Sequence, residues 1–253
     1  MASKLILRPA GPDATGEEGS RVVATAPRQL KLKPLAVTQG LRSLACDAIK
    51  RAITEMDIYG QPGEIHLDER RLSEELGVSR TPIREAMTIL EQEGFVRSVP
   101  RRGVYVVRKT RREIVEMITV WAAVECMAAR LAAASASEPE LHSLRPMFAK
   151  FHGDPTGDIT GYTVTNMEFH KAIIRMSKVA LMTDLIDNIF LHMRAIREVT
   201  LQQGDRARRS IIEHMKIIDA IEARDADLAS MLVREHTMGL AAHVEKYCDF
   251  LDD

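Results

Sequence analysis

Between Leu41 and Met56 the apolar residues Leu44, Ala48, Ile49, Ala52, Ile53 and Met56 recur at helical spacing and predict a first helix. Tyr59 to Gly63 then predicts a turn leading into Ile65-His66-Leu67. Two shorter helical patterns follow. One runs from Asp68, a suitable N-cap, to Leu76, with Leu72 and Leu76 on one face. Gly77 supplies the positive φ that a tight helix-helix turn needs. Ser79 is expected to cap the next helix by accepting a first-turn N–H, and Pro82 sits in that turn, where its missing donor is not required. Ile83, Ala86, Met87 and Leu90 form the expected buried stripe, which leaves Arg80, Thr81 and Arg84 on the outer, N-terminal part of the helix. Past Gly94 the residues 95–98 and 104–107 predict two short strands about the turn Pro100 to Gly103. Beyond Arg112 strand signals vanish. Helices are expected at about 111–135, 138–152, 159–178, 180–202, 206–224 and 226–250, with Ser137 (with Glu140) and Asp225 as caps.

This order predicts a mainly α chain: an N-terminal winged helix-turn-helix of three helices plus a β-hairpin wing, then an antiparallel all-α bundle of about six helices. The expected division is an N-terminal arm at 1–36, a winged domain at 37–109 and a helical domain at 110–253. The arm mixes Gly, Pro, Ser and charges without periodicity. Its Arg21, Arg28, Lys31 and Lys33 suit either a solvated tail or an auxiliary DNA contact.

The net charge of −1 hides an asymmetry. Residues 1–112 carry 20 basic and 14 acidic side chains, hence +6; residues 113–253 carry 15 and 22, hence −7. A basic head on an acidic body fits a nucleic-acid partner for the head. Three widely spaced cysteines (Cys46, Cys126, Cys248) indicate neither a disulfide framework nor a zinc knuckle, and suit a cytoplasmic protein. No run of 18 apolar residues and no secretory signal is visible, so no membrane partner is expected.

Arginines at the N-terminal end of a second helix can reach guanine O6/N7 in a major groove, and two arginines at a hairpin tip suit phosphates or the minor groove. The run Leu72 to Glu85, with Gly94 and Pro100-x-x-Gly103, resembles the winged helix-turn-helix of GntR-family transcriptional regulators. That resemblance implies contacts to double-stranded operator DNA from Arg70, Ser79, Arg80, Thr81, Arg84, Arg102 and Gly103, and a homodimer on a palindromic site.

In the helical part Asn166 and His170 stand i, i+4 on one helix, with His214 and His236 on the last two. Imidazoles and an amide oxygen suit zinc, nickel and similar ions, provided the faces point inward. The runs Asn166-x-x-Phe169-His170, Glu213-His214-x-x-Ile217 and Glu235-His236 resemble the FCD effector-binding domain of the FadR-like GntR subgroup. The resemblance implies a divalent metal, zinc or nickel, on Asn166, His170, His214 and His236, holding a small organic acid as effector. The sequence departs from the family twice. Asn166 stands where many members carry Asp. Trp121 stands four residues before Glu125, where the family often has Arg; it implies either a more apolar pocket or simple packing between helices or at a dimer contact. His192 is expected to border the pocket, and Arg194 or Arg197 either to hold an effector carboxylate or to lie on a solvated face. His243, seven residues after His236, falls on nearly the same face. Two other readings stay open. One is a metal-free regulator taking a bulkier ligand such as an acyl-CoA. The other is a metal-dependent hydrolase, which lacks an evident general base because Glu168, Glu213 and Glu235 are expected to point off the ligand face.

Overall fold

The first helix, α1 (Gln39–Glu55), buries Ala45, Cys46, Ile49 and Ile53. The expected line through Leu44 and Ala52 is displaced: Leu44 is 66% exposed, because the stripe centres on Ile49 and Ile53 and Leu44 falls off its edge. The structure, a computed structural model, describes residues 39–59 and 63–251. The arm expected at 1–36, and the middle of the turn expected at 59–63, lie outside the described residues.

Helix α2 (Glu69–Leu76) is capped by Asp68, whose carboxylate accepts the N–H groups of Arg70 at 2.8 Å and Arg71 at 3.3 Å. It ends on Gly77 at φ 64, and Val78 N–H donates back to Ser73 O at 3.1 Å. Helix α3 (Arg80–Gln92) buries the four residues expected of it. Ser79 holds the N-cap position with extended backbone, but its side chain accepts no capping bond. The reason is Pro82: it occupies the third helical position, so one of the two N–H groups a cap normally serves does not exist.

The wing has three strands where two were expected: β1 (His66–Leu67), β2 (Val96–Val99) and β3 (Gly103–Val106), antiparallel in the order β1-β3-β2. β1 pairs His66 with Tyr105 and Leu67 with Val104. Two residues are too few to show an alternation, so β1 had no sequence signature. β2 and β3 each sit one residue from their expected bounds. Val96, Val104 and Val106 turn inward onto a core shared with Ile83, Leu90 and Phe95.

The remaining helices form the expected bundle. α4 (Arg111–Ser135) starts in a capping box: Thr110 Oγ1 accepts Glu113 N–H at 3.2 Å and Glu113 Oε2 accepts Thr110 N–H at 2.8 Å. It packs chiefly along α9 (Ala226–Tyr247), and the buried Ala128, Ala129, Ala132 and Ala133 let the two backbones approach. α4 is by length and composition apolar enough to cross a membrane; here its buried face lines the bundle core. The helix expected at 138–152 is not continuous. A short α5 (Glu138–Leu141) gives way to a 3-10 segment at Arg145–Phe151, because Pro146 cannot donate to the turn before it, and His152 ends the segment at φ 49. α6 (Ile159–Met176), α7 (Ala180–Leu201) and α8 (Arg206–Glu222) complete the set. Leu191 and Ala195 of α7 also pack against the winged core.

Gly77 meets nothing where a Cβ would stand, so only its backbone conformation resists substitution. Gly77→Ala is expected to cost about 1 kcal/mol in thermal unfolding. Gly77→Asn should cost less, because Asn tolerates the left-handed region.

Candidate functional site

The first candidate surface is the outer face of the winged head. Arg70, Ser79, Arg80, Thr81, Arg84, Arg102 and Gly103 are all exposed. Arg70, Arg80 and Gly103 share a depression of about 260 Å³ with His66 and Asp68. Arg84 Nε holds Glu69 at 2.9 Å and Arg102 Nη2 holds Glu64 at 3.3 Å. These are exposed ion pairs of small worth, readily exchanged for phosphate or a base edge. Gly103 has φ 105, and a side chain there would run into the His66 ring. His66 itself packs edge-on against Tyr105, 5.1 Å between centroids.

The second candidate lies inside the bundle. α6, α8 and α9 bring His170, His214 and His236 together, each offering a nitrogen within 4.8 Å of the others. All three are buried. His214 Nε2 and His236 Nε2 are 3.2 Å apart. Asn166, one turn before His170, is buried as well; its amide donates to Ser210 Oγ at 3.2 Å, while its Oδ1 accepts no hydrogen bond. A buried acceptor without a partner costs about 1–3 kcal/mol. A cation would satisfy it, so the donor set (three imidazoles and one amide oxygen) fits a divalent metal.

Carboxylates stand behind two of the imidazoles. His170 Nδ1 lies 2.6 Å from Glu125 Oε1, and His236 Nδ1 lies 2.6 Å from Glu213 Oε2. Such partners fix the ring orientation of a metal-binding histidine and leave Nε2 facing the centre. Glu213 therefore does not point off the ligand face as expected: it reaches across from α8 to α9 and also takes Arg206 Nη1 at 3.1 Å. Sequence reasoning also missed Glu125 as a partner of His170. Its signal was a lone carboxylate on the apolar face of α4, in register with Ile114, Ile118 and Trp121. Tyr162, whose hydroxyl meets His214 Nδ1 at 3.2 Å, and Arg206 carried no such signal.

Arg197 is 1% exposed, and its Nη2 donates to His170 Nε2 at 2.8 Å. A guanidinium has only donors, so His170 Nε2 carries the lone pair and Nδ1 the proton given to Glu125. Burial holds all three histidines well below their ordinary pKa, with the charges of Arg197 and Arg206 adding to the effect. Burial likewise pushes Glu125 up to about 8, while Trp121 and Arg197 pull the other way. Arg197 is pushed down to about 9 by burial and by Arg206, and so stays charged at neutral pH.

The other expected pocket residues divide. Trp121 is fully buried against the centre, edge-on to His170 at 4.8 Å and beneath the Arg197 guanidinium at 4.9 Å. His192 does not border the centre: it stacks on Phe95 of the winged head, 4.0 Å between centroids, and its Nε2 donates to Glu93 O at 3.0 Å. Its position on α7 turns it toward the head while Arg197 turns inward. Arg194 lines a surface depression with Glu168 and Lys171 instead. His243 bonds Gln203 at 2.7 Å beside another surface depression. A groove of about 660 Å³ runs between the 3-10 segment and α8, over Phe148 and Ile211. Phe148 stacks on His214, 5.1 Å between centroids, and so forms a wall between groove and histidines.

Comparison with known proteins finds a family match for each part of the chain. The family model for bacterial regulatory proteins of the gntR family matches residues 46–106, and that for the FCD domain matches residues 116–238. The HTH-type transcriptional regulator YdhC of Bacillus subtilis (strain 168) is 28% identical over 182 residues, covering 70% of this chain and 79% of the relative. The HTH-type transcriptional repressor RspR of Escherichia coli (strain K12) is 23% identical over 181 residues, covering 71% and 79%. The solved structure of E. coli McbR/YncC shares the fold, with a TM-score of 0.67 at 21% identity over 83% of this chain and 99% of that one.

The depressed histidines predict acid sensitivity. A folded pKa below the unfolded value of 6.5 gives stability that is present above pH 6.5 and lost as pH falls below it. Glu125, raised from 4.5 to about 8, acts oppositely, its contribution fading as pH rises through about 8. Three histidines outweigh one carboxyl, so chelator-treated protein should lose thermal stability from pH 7 to pH 5. His236→Gln should flatten that slope in a pH series of melting curves.

Proposed function

Because this chain belongs to the GntR family of bacterial regulatory proteins and carries an FCD domain, we propose that it is a DNA-binding repressor controlled by a small organic acid at the buried histidine centre. The observation that carries this reading is the convergence of three buried imidazoles, two of them backed by carboxylates, inside a bundle attached to a head with exposed arginines. The relatives are transcriptional regulators rather than enzymes, and the hydrolase reading is set aside on that ground.

His170, His214, His236 and Asn166 would hold a divalent ion, zinc or nickel. Bound there, the ion supplies a Lewis-acid point for carboxylate oxygens. Arg197 and Arg206 are the cationic groups beside the histidines. Each has two buried N–H groups without a partner among the described residues, which suits recognition of an anion. The groove over Phe148 is separated from the histidines by that ring, so a ligand entering from it must displace Phe148, and Trp121, edge-on to His170, adds apolar area at the centre. In the head, Arg80 and Arg84 are the base readers on α3, with Thr81 and Ser79 beside them, and Arg70, Arg102 and Gly103 meet the backbone or minor groove.

The effector state reaches the head through α7. Arg197 touches the centre, and five residues earlier His192 holds the C-terminal end of α3 through Glu93. The effector releases DNA to the extent that it binds the DNA-incompetent arrangement more tightly. A homodimer would match two half-sites. Exposed Val120 and Met127 on α4, and Met231 and Met238 on α9, are the apolar residues such an interface would cover.

Two measurements test the reading. Metal analysis of protein purified without chelator should find near-stoichiometric metal in the parent and little in His214→Ala; none in either would overturn the metal centre. Against a duplex selected from a random-sequence pool, Arg80→Ala and Arg84→Ala should each weaken binding by about 1–3 kcal/mol at fixed salt while leaving bundle unfolding unchanged. Unchanged affinity would remove α3 as the reading helix.

A further inference from the structure

We infer that Arg197 is a resident cation that stands in for the metal ion at His170 Nε2 and must leave that nitrogen before the ion can bind. The inference rests on the metal reading above and concerns what this chain's own residues do at that site. His170 has two nitrogens. Nδ1 is committed to Glu125 Oε1 at 2.6 Å, so Nε2 is the one left to act as a ligand. That lone pair is occupied by Arg197 Nη2 at 2.8 Å. One lone pair cannot accept a hydrogen bond and coordinate an ion together.

The other imidazoles follow the same logic. His236 Nδ1 faces Glu213, so its Nε2 carries the second inward lone pair, and it is met by His214 Nε2 at 3.2 Å. His214 therefore donates from Nε2 and accepts the Tyr162 hydroxyl at Nδ1. Two N–H donors, one from Arg197 and one from His214, fill the inward lone pairs. His214 can yield by changing tautomer, since Tyr162 can accept as well as donate. Arg197 has no other tautomer to adopt and must move.

The guanidinium is suited to move. Nε and Nη1 are buried without a hydrogen-bond partner, so Nη2 is its one hydrogen-bonding anchor among the described residues. The cation otherwise rests on the Trp121 ring at 4.9 Å. An entering dication repels it, and Arg206 adds to that repulsion. Leaving His170, Arg197 becomes free to take an effector carboxylate in its planar fork. It also loosens the tie between α6 and α7, the helix that carries His192 to the recognition helix.

Trp121 is the only tryptophan of the chain and reports on the guanidinium above it. Chelator-treated full-length protein is titrated with zinc, with the dissociation constant read by competition against a chromophoric chelator and Trp121 emission recorded in parallel. The expected result is an emission change in the parent on zinc binding, with roughly tenfold tighter zinc binding and a much smaller emission change in Arg197→Met. Zinc binding that leaves parent emission unmoved, with affinity unchanged in Arg197→Met, would overturn the inference while leaving the metal centre standing. No zinc binding in either protein would overturn the metal reading and this inference with it. Should Arg197→Met fail to fold, the Arg197 side-chain N–H resonances of the parent decide. Loss of the hydrogen bond to His170 on adding zinc supports the exchange, and its persistence refutes it.

Discussion

An imidazole buried in an apolar helical bundle must find a partner for each of its two nitrogens, and this chain buries three side by side. An unmet polar group there costs about 1–3 kcal/mol. The bundle meets the demand with two short chains of hydrogen bonds. One runs from Arg197 through His170 to Glu125; the other runs from Tyr162 through His214 and His236 to Glu213 and Arg206. Between them they draw on α4, α6, α7, α8 and α9. The polar centre thus specifies how five helices sit around it, which a uniformly apolar interior would leave to packing alone.

The same demand explains the charge distribution. Of the two buried guanidinium groups, Arg206 is met by the Glu213 carboxylate, while burial pushes Glu125 up to about 8 and leaves Arg197 without a matching anion at neutral pH. What remains over is cationic hydrogen-bonding capacity without a partner on Arg197 and Arg206. Unpartnered donors of that kind suit the anionic effector proposed above, and Arg197 sits on a helix that also touches the winged head. His192 is the polar junction: stacked on Phe95 and bonded to the end of α3, it joins bundle and head beside the apolar contacts of Leu191 and Ala195.

The head relies on local rules instead. Asp68, Gly77 and the stripe Ile83, Ala86, Met87 and Leu90 act within a few residues of one another, and each appears in the structure in the role its chemistry suggests. Exceptions arise where two local rules meet. Ser79 would cap α3, but Pro82 removes a donor it would serve. In the bundle, likewise, Pro146 breaks a helix whose apolar pattern alone would continue it.

By itself the sequence determined most of the elements and their order, though neither β1 nor the break near Pro146, together with the exposed arginines of α3 and the wing and the shared helix face of Asn166 and His170. These depend on periodicity, capping and turn chemistry, all short-range along the chain. The tertiary structure decided the partners. That His170 is backed by Glu125, 45 residues away, and His236 by Glu213, 23 away, follows from helix packing that no spacing encodes. So does the separation of neighbours on α7, where His192 turns to the head, Arg194 to the surface and Arg197 to the centre. A helix distributes its residues around its axis by about 100° each. Which direction meets a histidine, a recognition helix or water depends on what the rest of the fold has placed there.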